Sequence, residues 1–306
     1  MKNLNRRNFI SQLSRAVFLA GTVPTMLSGC ASQAAEKKRG FKLGACDWSM
    51  GKGCAGSVKA FDVCKEVGLD GVQISQPFKK DNPVFCPPEK LAEYKAAMAR
   101  TGKACASTAP MLNSDPFYSS ENTVPYVCSS IETAADLGAD TILLPFYGKA
   151  NMSGKDKRIR GELFAPLVSR LKEVAKVAEK RGVLVCLENS LNAEDNIRII
   201  EAVGSDNVKV YFDIFNFQYY GFETVPEMKK LKGYIGQIHL KDKGHKLDSN
   251  SGCPRNMQQC FDTIREIGYE GWLVFEFHGL KPERDGSEAD VLRHNIEFVK
   301  KSSLFS

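Results

Sequence analysis

Four stretches of this 306-residue chain end in a side chain able to hold a cation or move a proton. Val183-Leu-Val-Cys-Leu-Glu188, Val208-Lys-Val-Tyr-Phe-Asp213 and Trp272-Leu-Val-Phe-Glu276 each put a carboxylate after a β-branched or aromatic run. In Gln237-Ile-His-Leu-Lys-Asp-Lys243, Ile238 and Leu240 alternate with His239 and Lys241, the signature of a strand. One imidazole and three carboxylates are hard-to-borderline donors. They suit one Mn²⁺, Mg²⁺, Co²⁺ or Zn²⁺ ion, and no sulfur donor is present to select copper. A carboxylate bound through one oxygen keeps the other for proton transfer. Two of them, on opposite sides of a substrate carbon, can remove a proton from one face and return it to the other, while a metal polarises the adjacent carbonyl. That chemistry requires the four tips to meet.

The elements that would position them repeat. An amphipathic segment ends in Gly and a short Val/Ile/Leu-rich run follows, as in Glu66-Val-Gly-Leu-Asp-Gly-Val-Gln-Ile74 and Glu266-Ile-Gly-Tyr-Glu-Gly-Trp-Leu-Val274. Gly just past a helix adopts the left-handed C′ conformation without a Cβ penalty, so the chain can turn directly into a strand buried on both faces. Strands are expected to start at Phe41, Gly71, Lys103, Thr141, Val183, Val208, Gln237 and Trp272. Helices are expected over Ser57–Val67, Pro88–Arg100, Val124–Leu137, Leu163–Arg181, Ala193–Val203, Val225–Leu231, Arg255–Ile267 and Glu288–Lys300. Strict alternation argues for a parallel sheet, and eight units for a closed (β/α)8 TIM barrel in a single domain, 41–306. An open doubly wound sheet is the runner-up, but no G-x-G-x-x-G follows the first strand. In a barrel all C-terminal strand tips share one face, so Glu188, Asp213, His239 and Glu276 fall on consecutive staves.

The body from Phe41 to about Lys301 resembles the xylose isomerase-like barrel family of sugar phosphate isomerases and epimerases. The carrying motifs are Leu187-Glu-Asn189, Phe212-Asp213, Ile238-His-Leu-Lys-Asp242 and Phe275-Glu-Phe277, with 25, 26 and 37 residues between successive candidate ligands. The resemblance implies that Glu188, Asp213, His239 and Glu276 bind a divalent metal and that Glu188 and Glu276 are acid and base. It implies an isomerase or epimerase acting on a sugar or keto-sugar through an enediolate. A hydro-lyase on a keto-sugar, such as a 3-keto-glycoside or an inosose, is the close rival. A barrel that binds carbohydrate without turnover is the other. One departure stands out: family epimerases usually carry a His three residues after the strand-six Asp, and here that residue is Asn216, a candidate to hydrogen-bond a substrate hydroxyl that cannot shuttle a proton.

Further candidates for substrate contact lie near these tips. Lys241 and Asp242 follow His239; Lys241 is suited to an oxyanion or hydroxyl, or to a strand-end ion pair. Asn189 and Asn192 follow Glu188, where they contact substrate hydroxyls or cap the next helix. Trp48 ends strand one and is placed to stack on a sugar or plug the core. His278 lies two residues past Glu276, on the same side of its strand. Phe215, Phe217, Tyr219 and Tyr220 are placed to roof the pocket or to meet another copy of the chain, so a homo-oligomer stays open.

Composition, with 43% hydrophobic and 25% charged residues, is that of a globular protein. The formal charge is +6, but Lys2, Arg6, Arg7 and Arg15 lie in the first 29 residues, where no acid occurs, which leaves +2 for the remainder. Such a body has no electrostatic footprint for nucleic acid. Residues 1–29 read as a signal peptide: Arg6-Arg7 in Asn5–Ile10 resembles a twin-arginine motif, and Leu27-Ser-Gly-Cys30 a lipobox that would lipidate Cys30. Residues 30–40 then form a tether. The expectation is an exported lipoprotein on the periplasmic side or the cell surface, touching the membrane only through its N-terminal anchor. Nine further cysteines, an odd number without CxxC spacing, argue against a disulfide framework.

Overall fold

The computed structural model describes residues 40–112, 115–249 and 257–305. The expected signal peptide, most of the tether and Cys30 lie outside them, as does Arg255, where the seventh helix was expected to start. Eight parallel strands form a closed barrel: β1 Phe41–Cys46, β2 Gly71–Pro77, β3 Ala104–Met111, β4 Thr141–Pro145, β5 Leu184–Glu188, β6 Val208–Asp213, β7 Ile235–Leu240 and β8 Gly271–Phe275. β8 closes on β1, with Phe41 opposite Gly271 and Ala45 opposite Phe275.

The helices are α1 Lys59–Val67, α2 Pro88–Thr101, α3 Thr123–Asp136, α4 Gly161–Arg181, α5 Ala193–Val203, α6 Ile214–Tyr219, α7 Thr224–Lys230, α8 Met257–Glu266, α9 Pro282–Asp285 and α10 Glu288–Lys300. Among the described residues no helix is long and apolar enough to cross a membrane. Helix α4 shows why the pattern folds this way. Leu167, Leu171, Val174 and Ala178 recur at helical spacing and are fully buried, and Gly182 ends the helix at φ +67°. Two short helices, α6 and α9, were not expected. The first matters to the site, because it starts directly at the tip of β6.

The main apolar core lies between the sheet and the helices. Inside the barrel the side chains are smaller and mixed: Ala106, Ala109, Cys46 and Cys186 leave room for Trp272 and Tyr211. All eight cysteines among the described residues carry free thiols. Side chains two apart on a strand share a face, so Tyr211 and Asp213 on β6, and Gln237 and His239 on β7, point together into the barrel. Register places Tyr211 opposite Gln237 and Asp213 opposite His239.

Candidate metal centre and active site

The strand tips converge. Glu188, Asp213, His239 and Glu276 are all buried, and one ligand atom from each lies within 4.8 Å of the others. His239 Nδ1 is the hub: it lies 3.3 Å from Glu188 Oε1, 3.1 Å from Glu276 Oε2 and 3.9 Å from Asp213 Oδ2. Strand register supplies this, since His239 sits beside Asp213 across β6–β7 and Glu276 follows the Leu240–Phe275 pair across β7–β8.

Each ligand is held from behind. Asp213 is also the N-cap of α6: its Oδ1 accepts the backbone N–H groups of Phe215 and Asn216, both at 2.8 Å. Its Oδ2 is buried and accepts no hydrogen bond. A buried carboxylate oxygen without a hydrogen bond is costly; this one has the Lys241 ammonium 3.4 Å away and faces the ligand atoms of the other three residues. Asn216 donates from Nδ2 to Glu188 Oε1 at 3.2 Å and to the Tyr147 hydroxyl at 2.9 Å. On the other side of His239, Nε2 lies 2.9 Å from Gln73 Oε1. A metal-binding imidazole usually gives its second N–H to such an acceptor. The Asp213 oxygen, the hard donor set and the backed imidazole all fit one divalent cation.

The charges are unequal. Burial, partly offset by Lys241 and then reinforced by the Glu276 and Glu188 carboxylates, pushes Asp213 up to about 7. Burial also opposes charge on Glu276, but Lys241 and His239 outweigh it and hold that carboxyl well below its usual range. Lys241 Nζ lies 2.9 Å from Glu276 Oε2 and 3.4 Å from Asp213 Oδ2. Burial works against the charged ring of His239, yet Cys46, Glu276 and Glu188 lift it well above the ordinary histidine value. His278 Nε2 sits 2.8 Å from Glu276 Oε1 and its side chain is 60% exposed.

Above the quartet opens a cavity of about 350 Å³. Glu188, Lys241, Glu276, Asn216 and His278 supply its polar lining, and Trp48, Met111, Tyr147, Phe215 and Tyr220 much of its apolar wall. Trp48 stacks on His278 with rings 5° apart, and Tyr147 on Tyr220 with rings 8° apart. Tyr147 was not singled out from the sequence; it lies in a loop after β4 with no motif around it. Of the expected aromatic roof, Phe215, Tyr219 and Tyr220 line the cavity, whereas Phe217 is buried against Phe212.

Three expected substrate contacts lie elsewhere. Asn192 caps α5, accepting from the Asp195 backbone at 2.9 Å. Asn189 bonds Asn196 and the Leu191 backbone. Asp242 accepts the Ser249 hydroxyl within its own loop. None of the three lines the cavity, and Asn189 borders only a small space beside it, with Glu188, Asp213 and Asn216. The physical reason is shared: each of these short polar side chains has a local donor within a few residues, and it satisfies loop backbone or neighbours before it can reach the mouth.

Comparison with known proteins agrees with this fold. A family model described as a xylose isomerase-like TIM barrel matches residues 61–302. A 2-epi-5-epi-valiolone 7-phosphate 2-epimerase from Actinoplanes sp. is 23% identical over 204 residues, covering 66% of this chain and 72% of that protein. The D-psicose 3-epimerase of Enterocloster bolteae is 24% identical over 148 residues, covering 46% of this chain and 48% of that enzyme, so the chain spans about half the length of that relative. The solved structure of D-psicose 3-epimerase with D-tagatose, from Clostridium cellulolyticum H10, superposes with TM-score 0.68 at 18% identity, covering 85% of this chain and 99% of that one; at that identity the likeness is one of fold.

Proposed function

The chain belongs to the family of xylose isomerase-like TIM barrels, and on that footing we propose that it is a divalent-metal-dependent isomerase or epimerase of a sugar or keto-sugar. The observation that carries the reading is the convergence of two catalytic-type carboxylates, Glu188 and Glu276, which line one cavity, with the buried Asp213 and His239. Glu188, Asp213, His239 and Glu276 would hold the ion. When bound, it supplies Lewis-acid stabilisation of charge developing on the substrate carbonyl oxygen.

The side chains do the rest. Glu188 lines the cavity, and among the described residues its Oε2 takes no hydrogen bond, so that oxygen is available to remove a proton from the carbon next to the carbonyl. Asn216 fixes the other oxygen and so aims the carboxylate. Loss of that proton leaves an enediolate. Glu276 returns a proton to the opposite face, and solvent-exposed His278, against Oε1, replenishes it. Lys241, 2.9 Å from Glu276 Oε2, lowers the proton affinity of that carboxyl and so favours release of the proton it receives from His278; it is also placed to donate to a substrate oxygen. The Trp48–His278 and Tyr147–Tyr220 pairs give the sugar apolar faces to pack on and exclude water.

The same arrangement supports one second reading. With His278 as proton donor, the enediolate can expel a neighbouring hydroxyl as water, which makes the protein a hydro-lyase on a keto-sugar. The cavity lining offers Lys241 and His278 as its basic groups, and Lys241 is engaged by two carboxylates. That favours an unphosphorylated substrate, as does the proposed export, which rests on Arg6-Arg7 and Leu27–Cys30 alone. Palmitate labelling that persists in Cys30→Ala would remove the lipid-anchor reading.

The test is solvent exchange. The protein loaded with Mn²⁺ is incubated in D₂O with ketohexoses and keto-glycosides and followed by NMR. Deuterium next to the carbonyl, absent with Glu188→Gln and Glu276→Gln, is expected; a new alkene or a dehydrated product identifies the lyase. A metal-loaded protein that exchanges no substrate proton would refute both.

A further inference from the structure

Below the quartet, the barrel interior holds a hydrogen-bonded chain of neutral groups. It starts at His239 Nε2, 2.9 Å from Gln73 Oε1. Gln73 Nε2 donates to the Ser107 hydroxyl at 2.9 Å and to the Tyr211 hydroxyl at 3.1 Å. Tyr211 donates to Gln237 Oε1 at 2.7 Å, and Gln237 Nε2 donates to the Ala106 carbonyl at 3.1 Å. All of these residues are buried.

An amide can be turned end for end, and a neutral imidazole has two tautomers. Here neither is free, because the chain ends on a backbone carbonyl. That oxygen only accepts, so Gln237 must present its NH₂ to Ala106 and its oxygen to Tyr211. The single phenolic proton of Tyr211 is thereby committed to Gln237. Gln73 must then donate to Tyr211, and its own oxygen faces His239. The Cys46 thiol, 2.9 Å from the same Gln73 oxygen and 3.4 Å from His239 Nε2, fits that orientation as a donor to Gln73. An acceptor facing Nε2 demands a proton there.

We propose that Gln73 is the positioning residue of the metal centre: anchored through Tyr211 and Gln237 to the Ala106 carbonyl, it holds the proton of His239 on Nε2 and turns the Nδ1 lone pair toward the three carboxylates. The inference rests on the metal reading above and adds the device that sets its imidazole. Gln73 touches neither substrate nor ion. Its effect passes through ring orientation and donor strength, and removing such a partner typically weakens metal binding about 10–100-fold.

The test measures Mn²⁺ and Zn²⁺ affinity of the full chain by competition with a chelator, independent of turnover. Gln73→Leu should bind about 10–100-fold more weakly, with a cooperative thermal transition retained. Gln73→Glu, which as the protonated acid keeps a carbonyl toward His239 and a donor toward Tyr211, should recover most of the affinity. That variant keeps the test decisive should Gln73→Leu fail to fold. Unchanged affinity in a folded Gln73→Leu, or a Gln73→Glu protein as weak as the leucine variant, overturns the inference alone. A wild-type protein that takes up neither ion overturns the metal reading and this inference with it.

Discussion

The barrel carries a cavity at each end, and the two differ in what lines them. At the N-terminal end a cavity of about 440 Å³ is bounded by strand starts, with Gly233, Gly236 and Gly271 among its lining and Asp140, Lys209 and Glu270 as its charged groups. Lys209 donates to the Gly233 carbonyl and Asp140 accepts the Thr141 hydroxyl, so those charges serve the local backbone and neighbours. At the C-terminal mouth a smaller cavity, about 350 Å³, sits over three carboxylates, one imidazole and one ammonium that face each other. Volume does not distinguish a site; convergence of ionisable groups that lack other work does. Asp213 Oδ2 at the mouth, buried without a hydrogen bond beside the other ligand atoms, is the clearest mark of that difference. Local stability is given up there for something the folded chain alone does not supply.

Substitutions at the two ends should therefore separate activity from stability. The largest effect is expected at the mouth. Glu188→Gln and Glu276→Gln should each lower kcat by about 10²–10⁴-fold, the range for loss of a general acid or base, with thermal unfolding little changed; wild-type turnover in both would end the proton-transfer assignment. The reverse is expected at the other end. In Gly236→Ala the new methyl collides with the Cys186 sulfur, which should cost about 1–3 kcal/mol of stability while kcat and metal affinity hold, as denaturant unfolding and a binding titration would reveal.

Lys241→Met should chiefly raise KM, by about tenfold or 1.4 kcal/mol, and a larger loss in kcat than in KM would reassign Lys241 to the chemistry. The smallest effect concerns pH. Asp213 is raised from 3.8 to about 7 by burial. A raised carboxyl contributes stability that is fully present below its unfolded value and lost as pH rises through the folded one. Metal-free Asp213→Asn should thus gain stability over wild type above pH 7, on the order of 1 kcal/mol after the lost Lys241 contact is offset, and show no gain below about pH 4. Chemical denaturation of the chelator-treated proteins across that range measures it; a gain that grows toward low pH would contradict the sign.

The barrel and its quartet were legible because both rest on repeated, strong signals. Eight apolar runs alternating with amphipathic segments allow few topologies, and each ligand closes such a run, so Glu188, Asp213, His239 and Glu276 could be placed on one face before any contact was known. What escaped was short or non-local. Within Ile214–Tyr219, Phe215-Asn-Phe-Gln-Tyr219 alternates apolar and polar residues as a strand would, yet the segment forms α6, because the Asp213 side chain caps its first amides and the barrel has already used the β6 edge. Tyr147 reaches the cavity only through the β4 loop, and nothing local announces it. Cys46 reads as a small hydrophobe in sequence; in the fold its thiol meets Gln73, 27 positions away, and His239, 193 positions away. Asn192 takes the second of its two expected roles and caps α5, while Asn189 and Asp242 are engaged by Asn196, the Leu191 backbone and Ser249. Polar residues beside a strand tip look like substrate contacts, but caps and loop bonds claim them first.

The account stands on the four strand-tip ligands sharing one ion. Equilibrium dialysis of the purified chain against Mn²⁺, with bound metal counted by atomic emission, tests this most directly. One ion per chain in the wild type, and none retained by His239→Ala or Asp213→Asn under the same free Mn²⁺, is the predicted result. Wild-type protein that binds no ion, or variants that bind it equally well, would contradict it.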